Sequence, residues 1–242
     1  MFGNFKISVV IPAYNEEKLI KKTILTLPDI IDEIIVVNDG STDKTSMILN
    51  TIKTDKLKII NHSQNKGVGA AIASGYKYSL KKKHDYTAVM AADGQMSPLE
   101  FIPMLDYMIK NNLDYVKGNR FLKPLSLKSM PVTRLIGSIA LNLLTKIATG
   151  YYHIGDPQSG YTIISLNTLK KLNLDDIYPD YGYPNDILGK LSIIEAKVRD
   201  FPISAIYGDE ESNLKPVKAI IPYSKLLLEI YRKRKHHERK KL

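Results

Sequence analysis

Short apolar runs alternate along the first half of the chain with stretches in which apolar residues recur every three or four positions. The runs predict buried strands, and the stretches predict amphipathic helices. Strands are predicted at residues 6–11, 33–37, 57–60, 86–91 and 114–117. Helices are predicted at residues 16–27, after 41–43, at 67–80 and at 98–110. This alternation is typical of an α/β domain with a mostly parallel central sheet and helices on both faces.

Two local signals mark boundaries within this pattern. Pro12 is expected to end the first strand, because proline cannot donate to a sheet. Ser41, Thr42 or Asp43 is expected to cap the helix that follows the second strand.

The pattern changes after Gly118. Residues 122–131 contain two prolines and predict a loop. The later elements are a strong amphipathic helix at 134–149, strands at 160–165 and 197–203, and a helix near 185–194. The apolar face of the 134–149 helix has two interpretations, namely packing on the sheet or facing a membrane.

No internal repeat and no Gly-, Ser- or Pro-rich linker divides the chain. We therefore expect one domain at residues 1–221, followed by a basic amphipathic tail at 222–242. The formal net charge is +10, and residues 232–242 carry seven Lys or Arg against one Glu. Such a tail is typical of a segment that binds an anionic surface, and equally of a solvated terminus. Within the tail, three consecutive leucines precede the basic run at 232–242, which favours an interfacial element.

Composition excludes several classes of protein. The absence of cysteine excludes disulfides, thiol nucleophiles and thiolate zinc sites. No run of 18 apolar residues and no signal-peptide pattern occurs, so we expect a cytoplasmic protein peripheral at the membrane. The five histidines lack metal-ligand spacing. Few aromatic residues and no helix-turn-helix signature argue against a nucleic-acid partner. Nothing indicates an oligomeric state.

Polar clusters follow three predicted strands, at residues 12–17, 38–43 and 93–95. Ligands of open α/β sheets bind beyond the carboxyl ends of the strands, so the three clusters together indicate one binding site. Taken alone, each has a simpler explanation. Residues 38–43 can form a turn and a helix cap, and Glu16 and Glu17 can be favoured by a helix dipole.

These clusters stand in ordered motifs that resemble family 2 glycosyltransferases. The motifs are VVIPAYNEE at 9–17, VVNDGSTD at 36–43, NKG at 65–67 and DGQ at 93–95. Two later motifs, GNR at 118–120 and DPQSGY at 156–161, resemble the dolichyl-phosphate sugar synthase branch. The resemblance covers roughly residues 6–207. It implies a single-domain nucleotide-sugar transferase fold of the glycosyltransferase A type.

The resemblance also implies how a nucleoside diphosphate sugar, UDP- or GDP-linked, is held. The residues implied to hold its base and ribose are Pro12, Ala13, Tyr14, Glu16 and Asp39. Asp93 and Gln95 are the implied ligands of Mg²⁺ or Mn²⁺, which prefer oxygen ligands and stabilise a leaving diphosphate. Related synthases often have another Asp two residues earlier, where this chain has Ala91. That departure points to altered ribose or metal contacts, altered donor choice or weakened activity.

For the acceptor, the resemblance implies a polyprenyl or dolichyl phosphate. Arg120 and Arg134 match branch positions that contact the lipid phosphate, and Arg suits phosphate because its donors form a planar fork. A phosphate is itself a competent nucleophile, so no strong general base is required. Asp186 lies about where other family 2 enzymes carry a catalytic base, although helix capping by Asn185 or Asp186 explains it equally well.

Asp156 and Gln158 are expected to line the acceptor side, and the polar loop at 207–215 could close over the donor. The predicted function is metal-dependent, inverting transfer of a hexosyl or N-acetylhexosaminyl group to a polyprenyl phosphate at the cytoplasmic membrane face. Two alternatives remain open. One is a transferase acting on a glycan or soluble acceptor, and the other is a catalytically weak accessory protein that binds nucleotide sugars.

Overall fold

The computed structural model describes residues 4–123, 132–204 and 216–241, without the side chains of 132–138 and 216–221. Within these residues seven strands form one sheet in the order β3-β2-β1-β4-β6-β5-β7. The strands are β1 Ile7–Ala13, β2 Glu33–Asn38, β3 Leu57–Asn61, β4 Tyr86–Val89, β5 Tyr115–Asn119, β6 Thr162–Ser165 and β7 Val198–Pro202. Only β6 runs antiparallel to its neighbours, which confirms the expected mostly parallel sheet.

Helices cover both faces of this sheet, as expected. They are α1 Ile20–Leu25, α2 Thr45–Thr51, α3 Val68–Lys82, α4 Phe101–Lys110, α5 Val132–Thr149, α6 Leu166–Leu169, α7 Tyr183–Ile193 and α8 Pro216–Arg239. Successive strand residues point to opposite faces, so Val9 joins the core under α1, α2 and α4, whereas Val10 joins the core under α3, α6 and α7.

Pro12 does not end the first strand, and that expectation is wrong. The β1 strand continues through Pro12 to Ala13. Val10 accepts from Met90 on the β4 side, and Ala13 accepts from Asp39 on the β2 side. Along a strand, the backbone N–H and C=O groups of successive residues point alternately to the two neighbouring strands, so those of residue 12 point to the β4 side. The last β1–β4 residue pair is Val10 with Val89, so no β4 residue needs a hydrogen bond from the missing N–H of Pro12.

The α2 helix also begins differently from the expectation. Its N-cap is Lys44, and no side chain caps it there. Asp43 lies one residue before this N-cap, and its Oδ1 accepts from the backbone N–H of Thr45 at 2.9 Å. Its Oδ2 accepts from the backbone N–H of Glu17 in the other loop. The polar residues before α2 are therefore used mainly to join two loops.

The carboxyl-terminal helix α8 packs on α5 and α7, with Leu226, Leu227 and Ile230 buried. The guanidinium of Arg234 donates to the carbonyls of Ala148 and Ile147 at the end of α5, both at 2.9 Å. The expected boundary between residues 221 and 222 falls inside α8. The tail is thus an ordered helix up to Arg239.

The outer face of α5 is apolar and exposed. Within its described side chains, Ala148 and Thr145 are buried, whereas Ile139, Leu143 and Leu144 are 51% to 59% exposed. This helix therefore packs through one face and leaves a second apolar face uncovered. No helix in the described ranges is long and apolar enough to cross a bilayer. The predicted lid at 207–215 lies outside the described residues.

Candidate active site

The polar clusters predicted from the sequence meet at one edge of the sheet. The parallel strands β1, β2 and β4 end there, at Ala13, Asn38 and Val89. The chain passes from β1 to β2 and β3 on one side and then returns to β4 on the other. The gap between β1 and β4 is therefore the topological switch point, where open α/β sheets bind ligands.

The loops after β1 and β2 are joined by hydrogen bonds, and we call residues 13–17 with 38–45 the loop clasp. The backbone N–H of Asn15 donates to Ser41 Oγ at 3.0 Å. The side-chain Oδ1 of Asn15 accepts from the backbone N–H of Thr42 at 2.8 Å. The Glu16 amide donates to Thr45 Oγ1 at 2.8 Å. These contacts fix the loop after β1, where Tyr14 is 42% exposed and Ala13 is buried beside half-buried Pro12 and Glu16.

Asp39 lies inside the loop clasp and is only 3% exposed. Its Oδ1 accepts from His62 Nδ1 at 2.6 Å and from the Lys66 amide at 3.0 Å, and its Oδ2 accepts from the Gly67 amide at 2.8 Å. Gly67 is the N-cap of α3, so the carboxylate lies at the positive end of that helix. The side chain is therefore fixed in a single position by its neighbours.

The Asp93-Gly94-Gln95 segment forms a tight turn after β4. The backbone N–H of Gln95 donates to Asp93 Oδ1 at 3.0 Å, and Gly94 has a φ of 72°. A Cβ added at Gly94 would meet nothing within 4 Å, so the turn faces open space. One carboxylate and one amide oxygen suit Mg²⁺ or Mn²⁺, which commonly complete their shells with substrate phosphates and water. These residues fit the expected cation.

Ala91 is half-buried, and its amide donates to the sulfur of Met96 at 3.2 Å. Thr23 Oγ1 donates to the neighbouring Ala92 carbonyl at 3.0 Å. The backbone before the Asp93 turn is thus anchored by Met96 and Thr23, and position 91 supplies no carboxylate.

A second group of polar residues lies beside this edge, and we call Lys117, Arg120, Asp156 and Asp200 the ion cluster. Asp156 is fully buried and accepts from Arg120 Nε at 2.7 Å and from Arg120 Nη2 at 3.0 Å. The β5 strand ends one residue before Arg120, so the guanidinium is held at the same sheet edge as Asp93. The expected acceptor-side residues Arg120 and Asp156 are therefore in direct contact.

Lys117 extends the ion cluster into the core. It is fully buried, and its ammonium donates to the Ser159 carbonyl. Burial lowers the pKa of Lys117 to about 8, although attraction by Asp156 and Asp200 opposes that shift. Burial raises the pKa of Asp200, which accepts from Asn119 at 2.6 Å and from the Gly155 amide at 2.5 Å.

Asp186 and its neighbour Asn185 face different partners. The carboxylate of Asp186 accepts from the Tyr178 amide at 2.8 Å and from Lys190 Nζ at 2.6 Å. Asn185 is fully buried and accepts from Gln158 at 2.8 Å. The α7 helix therefore directs Asn185, and not Asp186, toward the Asp156–Gln158 segment. Arg134 belongs to α5, but its side chain lies outside the described residues.

Sequence reasoning missed His62, Lys117, Asn185 and Asp200 as members of the site. Two of them carried a usable signal. His62 lies two residues after a predicted strand, close to a strand end as the three recognised clusters are. Lys117 is the last residue of a predicted strand, directly after Tyr115 and Val116, and a cation that is buried there requires a partner. Asn185 and Asp200 carried no such local signal.

Comparison with known proteins gives a consistent family. Residues 8–172 match the model described as glycosyl transferase family 2. A UDP-N-acetylglucosamine–dolichyl-phosphate N-acetylglucosaminyltransferase of Methanococcus voltae is 33% identical, over 84% of this chain and 86% of that protein. A dolichol-phosphate mannosyltransferase of Pyrococcus furiosus is 32% identical, over 94% of this chain and 63% of that protein.

Solved structures share the fold. Glucosyl-3-phosphoglycerate synthase of Mycobacterium tuberculosis, in complex with Mn²⁺, UDP and glucosyl-3-phosphoglycerate, superposes with a TM-score of 0.69. The match covers 96% of this chain and 80% of that chain at 20% identity. The sheet, the motifs at its edge and these relatives agree, and the chain belongs to glycosyltransferase family 2, as an enzyme with the expected single-domain, glycosyltransferase A-type fold.

Proposed function

We propose that this glycosyltransferase moves a sugar from a UDP- or GDP-sugar to a polyprenyl or dolichyl phosphate at the cytoplasmic membrane face. The observation that carries the proposal is the guanidinium of Arg120, fixed on buried Asp156 at the sheet edge that also bears the Asp93 turn. A guanidinium, which suits phosphate, thus lies on the same edge as the residues suited to a diphosphate. The similar proteins named for dolichyl-phosphate acceptors support this choice.

The donor is assigned to the loop clasp and the Asp93 turn. Exposed Tyr14 offers a ring for the base, next to Pro12 and Ala13, while Glu16 and Asp39 offer carboxylates to the nucleoside. Asp93 and Gln95 would hold Mg²⁺ or Mn²⁺, which supplies positive charge to the diphosphate as it leaves. The loop clasp keeps Tyr14, Glu16 and Asp39 in place before the donor binds, which lowers the entropic cost of catalysis.

The acceptor phosphate is assigned to Arg120, with Arg134 of α5 as a second cation. An acceptor oxygen forms a bond to the anomeric carbon while the bond from that carbon to the diphosphate oxygen breaks. The diphosphate keeps the electron pair, and attack from the opposite face inverts the configuration. The phosphate needs no deprotonation, so the step does not depend on Asp186, whose carboxylate already binds Lys190.

The membrane contact is assigned to α5 together with α8. The exposed apolar face of α5 offers Ile139, Leu143 and Leu144 to lipid, and α8 packs against the same helix. In the described part of the chain, Arg232, Arg239 and Lys240 of the tail have no acidic partner. An exposed apolar face on one helix, together with cations on the helix segment packed against it, suits a bilayer with anionic headgroups.

A transfer assay tests the proposed reaction. Purified protein with Mn²⁺ is incubated with UDP-N-acetylglucosamine, UDP-glucose or GDP-mannose, and with a short prenyl phosphate or a soluble phosphorylated acceptor. We expect a lipid-linked sugar from at least one donor. Product from the soluble acceptor alone would contradict the proposal and favour the soluble-acceptor alternative. Donor binding without any product would favour the accessory protein.

Replacement of Arg232, Arg239 and Lys240 by Ser tests the membrane contact. We expect weaker binding to anionic vesicles, by about 1 kcal/mol for each cation, with unchanged nucleotide affinity. Arg234 is kept because it holds the end of α5. The matched control replaces Lys81, Lys82 and Lys83 at the carboxyl end of α3, and vesicle flotation is measured for both. Equal losses in the two variants would contradict a specific role for α8.

A further inference from the structure

His62 lies between the loop clasp and α3. It directly follows β3, and its side chain is 7% exposed. Its Nδ1 lies 2.6 Å from Asp39 Oδ1, and its Nε2 lies 2.9 Å from Ser74 Oγ. Ser74 is part of α3, and its Oγ also lies 3.1 Å from the Ala70 carbonyl oxygen. Both ring nitrogens therefore have partners, and the ring connects a loop carboxylate to a helix.

The hydrogen bonds of Asp39 can be counted. A carboxylate has about four acceptor positions, two on each oxygen. His62 and the Lys66 amide occupy both positions on Oδ1, and the Gly67 amide occupies one on Oδ2. Among the described residues nothing occupies the fourth position. Asp39 is thus prepared to accept one hydrogen bond, at Oδ2.

We infer that His62 is a positioning residue for nucleoside recognition, because it occupies Oδ1 and leaves Asp39 a single acceptor position for an N–H or O–H group of the nucleoside. This inference rests on the proposed function, which assigns Asp39 to the nucleoside. Without the His62 donor, Oδ1 would regain an acceptor position. The carboxylate could then bind water or turn, and its preference for one donor position would fall.

Two substitutions separate positioning from packing. In His62→Asn the amide nitrogen lies near the place of Nδ1 and can still donate to Asp39. In His62→Gln the amide nitrogen lies near the place of Nε2, so it reaches Ser74 and leaves Asp39 without that donor. Both variants remove the ring, and His62→Asn removes one methylene more than His62→Gln. A simple loss of packing volume therefore predicts the opposite order of affinities, so each variant controls for the other.

The experiment measures UDP and GDP affinity by calorimetry, KM and kcat for the nucleotide sugar, and Tm for the wild type, both variants and Asp39→Asn. We expect His62→Gln to raise Kd and KM roughly tenfold or more, since a hydrogen bond to a charged group is lost. The kcat should change much less, and His62→Asn should restore most of the affinity. Ser74→Ala should raise Kd less than His62→Gln does.

The outcomes distinguish this inference from the proposed function. If His62→Gln binds nucleotide like the wild type while Asp39→Asn does not, the inference is overturned and the proposed function stands. If His62→Asn and His62→Gln lose affinity and Tm equally, His62 only packs, and the inference is again overturned. If the wild type binds neither UDP nor GDP, the proposed function and the inference both fail.

Discussion

The loop clasp and the ion cluster satisfy their carboxylates in opposite ways. In the loop clasp, carboxylates and hydroxyls accept mainly from backbone amides, as between Thr45 and Glu16 or Asp43 and Glu17. In the ion cluster, buried Asp156 and half-buried Asp200 face the cations Arg120 and Lys117. Partners in these two clasp contacts are 29 and 26 positions apart, and Arg120 and Asp156 in the ion cluster are 36 apart.

The kind of hydrogen-bond donor, a backbone amide or a charged side chain, determines how a site responds to the loss of one contact. Bonds to backbone amides use groups that the loops supply anyway, so each contact contributes modestly and largely independently. Buried charges stabilise only as a set, because removing one member leaves another charge unpaired in the interior. We therefore expect the loop clasp to weaken gradually with substitution and the ion cluster to fail as a unit.

The largest effect is expected for Asp156→Ala. It removes the buried carboxylate that binds Arg120 and one of the two carboxylates that attract Lys117, and we expect a loss of about 3–5 kcal/mol in the free energy of unfolding. Urea denaturation measures it. The control is Asp106→Ala, which breaks an exposed i,i+4 pair with Lys110 and should cost less than about 0.5 kcal/mol. A similar small loss in both variants would remove the distinction between the two regions.

Asp93→Asn should act on turnover instead of stability. It neutralises the carboxylate assigned to the cation, and we expect the rate to fall by about 10² to 10³ while Tm stays unchanged. Steady-state kinetics with Mn²⁺ measures the rate. Asp106→Asn, which neutralises an exposed carboxylate on α4, should leave the rate unchanged. Normal turnover by Asp93→Asn would show that the cation assignment is wrong.

The smallest effect is expected for Thr45→Val in the loop clasp. The change preserves shape but removes the acceptor of the Glu16 amide, at a cost of about 1 kcal/mol. Thr26→Val is the control, because its exposed hydroxyl bonds only carbonyls of its own segment. Both are measured by urea denaturation. A loss above about 3 kcal/mol for Thr45→Val would mean that the loop clasp also fails as a unit.

The same contrast explains what the sequence could predict. The strands β1 to β5, the helices between them and the meeting of three polar clusters at one sheet edge followed from periodicity and from strand ends. The pairing of Arg120 with Asp156 could not, because it depends on β6 entering the sheet antiparallel beside β5. Local patterns do not encode which distant carboxylate a cation meets.

The remaining errors were also matters of context. Pro12 continues β1 because its missing N–H points to the β4 side, where the pairing with β4 ends at Val10. The histidines were set aside for lacking metal spacing, although His62 binds a carboxylate instead of a metal. The site residues named from the sequence stay predictions until variants are measured.

The sheet order also affects when the protein can fold during synthesis. The strands β1 to β4 neighbour one another in the order β3-β2-β1-β4, so the half that bears the loop clasp can pair once residue 89 has left the ribosome. The β5 strand ends at Asn119, yet its partners β6 and β7 begin only at Thr162 and Val198. Because domains fold as their segments emerge, we expect a nascent chain that ends between residues 119 and 162 to have β1 to β4 paired while β5 has no partner strand.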